Sequence, residues 1–94
     1  MRWQAEVHVA LRSGIADPEG QTIAAALRSL GHDTVGEVRS GKLIRIAFEA
    51  PDSARAETAV AEMCSRLLAN PVMEVASWDL RADEEQQSAE TVIG

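Results

Sequence analysis

Apolar and polar residues alternate along the first part of the chain. Trp3, Ala5, Val7, Val9 and Leu11 occupy every second position, and mostly polar residues stand between them. A period of two places alternate side chains on opposite faces of a strand. The pattern therefore predicts an opening strand with one buried face and one wetter face.

The next segment has the features of an amphipathic helix. Asp17 suits the N-cap position and Pro18 the first helical position, where its missing N–H costs nothing. Gly31 suits the helix end, because glycine accepts a left-handed backbone. An apolar stripe recurs at i, i+4 and i+7 between these ends: Ile23, Leu27 and Leu30.

Two short β-type runs follow, at residues 34–39 and 42–49, with Ser40 and Gly41 at their junction. A two-residue link that contains glycine favours a tight hairpin, because glycine accepts the positive φ of such turns. Gly36 interrupts the alternation of the first run, as a β-bulge does. The pattern predicts a two-stranded hairpin.

A second helix and a last strand complete the pattern. Asp52 is the expected cap, and Pro71 cannot continue the helix. The stripe expected to be buried is Ala56, Val60, Met63 and Leu67. Residues 72–80 predict a strand, and the residues expected to share one face of it are Val72, Ala76, Trp78 and Leu80.

The element order is βαββαβ, which predicts an α+β fold of the ferredoxin-like type. This is a two-layer sandwich in which a four-stranded antiparallel sheet carries two helices on one face. Residues 1–81 form a single domain in this interpretation. Residues 82–94 hold four acidic residues and no Lys or Arg, a charge of −4, and predict a disordered acidic tail. The fold itself does not decide function.

Composition excludes several classes of protein. The net charge is −6, so the chain lacks the basic surface expected of a nucleic-acid-binding protein. No apolar run approaches the roughly 20 residues of a membrane span, and residues 1–6 lack the apolar core of a signal peptide. One cysteine cannot build an internal disulfide framework. These features favour a cytoplasmic protein.

Residues that commonly carry chemistry do not combine into a catalytic or metal site in the sequence. Cys64 flanks the apolar stripe of the second helix and is expected to pack in the core. His8 and His32 are far apart and have no metal-ligand spacing. An RNA-recognition domain would need exposed aromatic residues, and an acylphosphatase-like enzyme would need an Asn elsewhere than at Asn70.

Two surface features remain open from the residues alone. Residues 17–20 are typical of a helix start, which is the preferred interpretation, and a contact surface is the second interpretation. Arg39, Lys42 and Arg45 make the predicted hairpin basic enough to meet an anion, although Glu37 and Glu49 favour an ordinary solvated surface. A small-molecule regulatory domain of the ACT type also stays open.

Three segments, in order, carry a resemblance to a known family. Residues 17–20 read Asp-Pro-Glu-Gly, residues 38–42 read Val-Arg-Ser-Gly-Lys, and residues 62–70 run from Glu-Met-Cys to Leu-Leu-Ala-Asn. Over residues 4–80 the chain resembles the PurS family, the small auxiliary subunit of phosphoribosylformylglycinamidine synthase in purine biosynthesis. Arg12, Arg66 and Ala76 depart from the residues common in that family.

The resemblance implies an assembly. A glutaminase subunit releases ammonia, and an ATP-dependent synthetase subunit uses it to make formylglycinamidine ribonucleotide. The PurS-like subunit bridges the two and assists ammonia transfer, with no catalytic residue, cofactor or metal of its own. It is expected to be a homodimer or homotetramer; the alternative is a stand-alone ACT-like ligand-sensing dimer. The expected partner-interface residues are Asp17, Pro18, Gly20, Arg39, Gly41, Lys42 and Asn70.

Overall fold

The computed structural model describes residues 1–82 and contains three strands and two helices. None of the helices in this part of the chain is long and apolar enough to cross a bilayer. In chain order the elements are β1 (Arg2–Leu11), α1 (Pro18–Ser29), β2 (Gly41–Glu49), α2 (Ser53–Met63), a π-helical turn (Cys64–Leu68) and β3 (Glu74–Ala82).

The three strands form one antiparallel sheet in the order β2-β1-β3. The central strand β1 is the predicted opening strand, and it is hydrogen-bonded on both sides. Val7 lies opposite Ile44 on β2 and opposite Trp78 on β3, so one face of the sheet is apolar. The period-two prediction for β1 is confirmed, because Trp3, Ala5, Val7 and Val9 are all buried.

The core lies between this apolar face and α2. Its buried members come from β1, α2 and the π-helical turn: Ala5, Val7, Val9, Val60 and Cys64. A smaller cluster forms beside it from Trp3, Ala50 and Ala56. The Trp3 indole N–H donates to the Ala50 carbonyl at 3.2 Å, so its polar atom is satisfied inside this cluster.

The prediction of a four-stranded sheet is wrong. Residues 34–39 form no strand, and the sheet of residues 1–82 has three. The Arg28 guanidinium donates to the carbonyls of Val35 and Gly36, at 3.1 and 3.0 Å, and so satisfies groups that a strand ladder would otherwise use. We call residues 30–40 the α1–β2 loop. This loop lies along α1 instead of folding back on β2.

The predicted hairpin turn and the bulge are wrong for the same reason. Gly41 is the first residue of β2 and pairs with Ala10 of β1, not with a preceding strand. Its φ is not positive, and within residues 1–82 the glycines with positive φ are Gly14 and Gly31. Gly31 directly follows the C-cap of α1, as its position in the sequence predicted.

The apolar stripe of α1 does not contribute to the core. Leu30 is 75% exposed and Ile23 is 38% exposed. The buried residues of α1 are Gly20 and Ala24. α1 therefore leaves its apolar stripe open to solvent in the isolated chain.

In the last part of α2 the buried positions differ from those predicted, because the helix widens there. The Ala69 N–H donates to the Cys64 carbonyl at 3.1 Å, five residues back, as in a π-helical turn. The extra residue rotates Leu67 outward, where it is 81% exposed, and brings Leu68 onto the core. The prediction that Leu67 is buried is wrong.

The core position predicted for Cys64 is confirmed. Its side chain is buried, and burial raises the pKa of the thiol above its usual value. The group therefore stays protonated at neutral pH and acts as a small apolar side chain.

The predicted last strand begins later than expected. β3 spans Glu74–Ala82, and Val72 precedes it with 78% of its surface exposed. Ala76, Trp78 and Leu80 pack against the core as predicted. The predicted acidic tail lies outside the described residues except for Ala82, so the tail and the domain boundary at residue 81 stay predictions.

Candidate partner-binding surface

The expected interface residues converge on one end of the sheet. At this end β1 finishes, β2 and β3 begin, and α1 starts. We call it the loop end. The residues that the structure brings to it are Asp17, Pro18, Gly20, Arg39, Gly41, Lys42 and Asn70.

Asp17 joins α1 to the beginning of β2. Its Oδ1 accepts from the Gly20 N–H at 2.9 Å, which is the predicted helix cap, and from the Ser40 hydroxyl at 2.9 Å. Its Oδ2 accepts from the Ser40 N–H at 2.7 Å. The side chain is 3% exposed. The Gly20 N–H, followed by the Ser40 N–H, lowers the pKa of the Asp17 carboxyl below its usual value.

Two glycines of the loop end permit close backbone contacts. A Cβ on Gly20 would overlap the Val38 carbonyl oxygen and the Asp17 carboxylate. A Cβ on Gly41 would lie 2.6 Å from the Val9 carbonyl oxygen. Both positions therefore require glycine for space rather than for a positive φ.

Arg39 and Lys42 have different environments, although the sequence grouped them. The Arg39 guanidinium donates to three main-chain carbonyls at 3.2–3.3 Å: Leu11, Arg12 and Ile15. Its charge is thus used to hold the chain between β1 and α1. Lys42 is exposed, and its ammonium group makes no hydrogen bond or ion pair with residues 1–82. Lys42 is the cation at this end that a partner can reach without breaking internal bonds.

The turn that contains Asn70 is held by side chains on both sides. The Asn70 carbonyl side-chain oxygen accepts from the Val72 N–H at 3.0 Å, and the Asn70 N–H donates to Glu74 at 2.8 Å. Arg12 donates to the Pro71 carbonyl at 2.8 and 3.2 Å. Arg12, Ser40 and Glu74 were missed as contributors. Arg12 and Ser40 meet Pro71 and Asp17 only because the fold brings these segments together, and Glu74 was placed inside the predicted last strand.

Exposed apolar side chains surround this turn. Leu67 and Val72 are 81% and 78% exposed, and Met73 and Val75 are also exposed. The sequence interpretation placed Leu67 and Val72 on buried faces. Clustered exposed apolar surface marks interaction sites in soluble proteins, so the turn adds an apolar area to the charged part of the loop end.

A shallow depression of about 200 Å³ lies at the same end. Val9 and Leu11 line it together with Glu19, Lys42 and Glu74. Charges of both signs beside apolar residues suit recognition of a protein surface, which is itself mixed. Both carboxylate oxygens of Asp17 accept internal hydrogen bonds and the residue is buried, so this group serves the fold rather than a ligand.

Comparison with known proteins identifies the family. The family model described as PurS, phosphoribosylformylglycinamidine (FGAM) synthase, matches residues 4–82. The chain belongs to the PurS family. The resemblance noted in the sequence is therefore confirmed over the described domain.

Individual PurS relatives agree with this result. The phosphoribosylformylglycinamidine synthase subunit PurS of Archaeoglobus fulgidus is 47% identical over 70 residues, which are 74% of this chain and 88% of that protein. The crystal structure of Methanocaldococcus jannaschii PurS matches 87% of this chain and 99% of its own, with 36% identity and a TM-score of 0.78. A structure of PurLQS from Thermotoga maritima matches 86% of this chain and 96% of its own, with 33% identity and a TM-score of 0.74.

Proposed function

We propose that this protein is the PurS subunit of a phosphoribosylformylglycinamidine synthase in purine biosynthesis. It bridges a glutaminase subunit and an ATP-dependent synthetase subunit and assists the transfer of ammonia between them, in the cytoplasm. The observation that carries the proposal is the likeness, over most of the chain, to a PurS chain and to a chain of PurLQS. In this role the subunit supplies surfaces and no catalytic group.

We assign partner docking to the loop end. Internal hydrogen bonds from Asp17, Arg39 and Asn70 hold three backbone segments there. A surface that is already ordered loses less conformational entropy on binding than a mobile one. Lys42 supplies a free charge for orientation and rate of encounter, and the exposed apolar residues around Asn70 supply area to bury.

We also propose that the protein is a homodimer or homotetramer. The exposed stripe of α1, with Ile23 and Leu30, would be covered by a second copy. The sheet of residues 1–82 has open edges at β2 and β3, and paired or covered edges are the usual state of stable sheets. A chain of this size gains stability from such contacts. Sedimentation velocity tests this: Leu30→Glu should lower the oligomeric state, and a wild-type monomer of 10.1 kDa would contradict the proposal.

Reconstitution with the glutaminase and synthetase subunits tests the function itself. Lys42→Glu removes no internal contact, so the melting temperature should not change. Glutamine-dependent synthesis should fall with weaker complex formation, while ammonia-dependent synthesis should fall less, because the synthetase site is untouched.

The matched control is Arg55→Glu, which makes the same charge change on exposed surface in the first turn of α2, away from the loop end. This control should keep the wild-type rate. Equal effects of the two variants would exclude the loop end as the docking surface. Failure of the wild-type protein to join the two subunits would overturn the proposed function as a whole.

A further inference from the structure

One group of side chains lies on the face of the sheet opposite the core and α2. Glu6 and His8 project from this face of β1, and Asp79 comes from β3, where it lies directly opposite Glu6. One ligand atom from each of the three residues lies within 4.8 Å of the other two. The sequence spacing could not reveal this set, because Asp79 is brought in by strand pairing.

The carboxylates of Glu6 and Asp79 lie directly opposite each other on neighbouring strands, which is an unfavourable arrangement. Like charges facing each other across a strand pair repel, and the Asp79 carboxylate makes no hydrogen bond or ion pair with residues 1–82. On its other side Glu6 lies opposite Arg45 of β2 and forms an ion pair with it at 3.2 Å, so Asp79 is the one of the two carboxylates without an ion pair in residues 1–82. A cation held between Glu6 and Asp79 would convert the repulsion into attraction.

Arg45 fixes which oxygen of Glu6 is available. Its Nε donates to Oε2 of Glu6 at 3.2 Å, and the other oxygen, Oε1, faces Nε2 of His8 at 4.0 Å. In metal sites, ligating carboxylates commonly have one oxygen held by a donor outside the coordination sphere, and this orients the other toward the metal. The free oxygen of Glu6 is therefore directed at the imidazole.

The residue types define the class of cation. One imidazole nitrogen and two carboxylate oxygens suit Zn²⁺, which binds these ligands at about 2.0–2.2 Å. Mg²⁺ and Ca²⁺ prefer oxygen ligands, so a site that contains an imidazole nitrogen suits them less well. The side chains of Glu6 and His8 are 41% and 51% exposed, so their rotamers can close on an ion that arrives from solvent.

We propose that Glu6, His8 and Asp79 form a surface site for a divalent transition metal of the zinc class, completed by water. The site is separate from the docking surface. Its residues lie near the middle of β1 and β3, on the sheet face opposite the core. The proposal differs from the expectation that the protein carries no metal.

Titration of the full-length protein with Zn²⁺, followed by calorimetry, tests the site. Wild type should bind one ion per chain, and His8→Ala and Asp79→Asn should each lose at least tenfold in affinity. His32→Ala controls for the second histidine, and Glu49→Gln for a carboxylate on the same face; both should bind as wild type does. Thermal melts without metal should coincide for all five proteins, because the altered side chains are exposed.

Two further measurements define the ligands. Co²⁺ should give visible absorption bands with wild type that His8→Ala loses, and millimolar Mg²⁺ should not displace Zn²⁺. The proposal is overturned if wild type shows no saturable binding, if His8→Ala and Asp79→Asn keep its affinity, or if His32→Ala loses it. Binding to the acidic residues 83–90 would survive in all four variants and would also overturn it.

Discussion

Replacing Gly20 with alanine tests whether α1 and the α1–β2 loop are packed as closely as the structure indicates. The new Cβ would overlap the Val38 carbonyl oxygen and the Asp17 carboxylate. Neither obstacle can move away freely. Val38 precedes Arg39, which is bonded to three carbonyls, and Asp17 is bonded to Ser40.

The expected loss of stability follows from two opposing effects. An extra methyl group in a well-packed site costs about 1–3 kcal/mol, and a rigid backbone obstacle favours the upper part of that range. Alanine regains at most about 1 kcal/mol over glycine in a helix. The net loss for Gly20→Ala is therefore about 1–2 kcal/mol, or a fall in melting temperature of roughly 5–15 °C for a domain of this size.

Gly36→Ala is the matched control in the same loop. A Cβ there meets nothing within 4 Å, and the residue has no positive φ. Its stability should stay within about 0.5 kcal/mol of wild type. Urea and thermal unfolding, followed by circular dichroism and by the fluorescence of Trp3 and Trp78, measure both variants. A Gly20→Ala protein as stable as Gly36→Ala would refute the close packing of α1 on the loop.

Three further predictions concern single groups. In urea unfolding, Arg39→Gln should lower the free energy of unfolding by about 1–2 kcal/mol, because it breaks several hydrogen bonds to carbonyls. Lys42→Gln should lower it by less than about 0.5 kcal/mol. Equal losses would contradict the assignment of Arg39 as an anchor. The lowered pKa of Asp17 contributes stability that is present above pH 3.8 and is lost as pH falls through the folded-state pKa. Asp17→Asn should therefore flatten the acid limb of a curve of unfolding free energy against pH. An unchanged acid limb would exclude that contribution. The Cys64 thiol should react with a thiol reagent at neutral pH only as the protein unfolds in urea; fast labelling of the native protein would show that it is accessible.

The sequence predicted best those features that depend on a few neighbouring residues. Asp17 and Asp52 cap their helices, with bonds from Gly20 and Arg55 N–H groups, as their positions indicated. The alternation in β1 and the core positions of Ala76, Trp78 and Leu80 in β3 were also predicted correctly, although Val72 was not, because one face of each strand packs on the core. Such features need no knowledge of distant contacts.

The fourth strand could not be excluded from the sequence. Residues 34–39 have β-type composition, and a glycine-containing junction is common in hairpins. What decides the outcome is that Arg28 and Asp17 reach the loop from other segments and bond its backbone groups. Arg39 of the loop in turn donates to the chain between β1 and α1. The π-helical turn was also not evident from the sequence, and its one-residue shift after Cys64 places Leu68 against the core in place of Leu67.

The candidate surface shows the same division between local and distant effects. The residues that the sequence singled out lie together at the loop end, but the sequence interpretation treated Arg39 and Lys42 as equivalent charges. Arg12, Arg28 and Arg39 all donate to main-chain carbonyls, and each fixes a connection that has no strand to support it. A planar guanidinium can serve several carbonyls at once, which lysine cannot do in the same way. Arg12 and Arg39 therefore act as internal supports of the loop end, and Arg28 supports the α1–β2 loop at the other end of α1. Counting arginines along the sequence therefore overestimates the hydrogen-bond donors that this surface offers, because the guanidinium groups keep their charge but already donate to carbonyls.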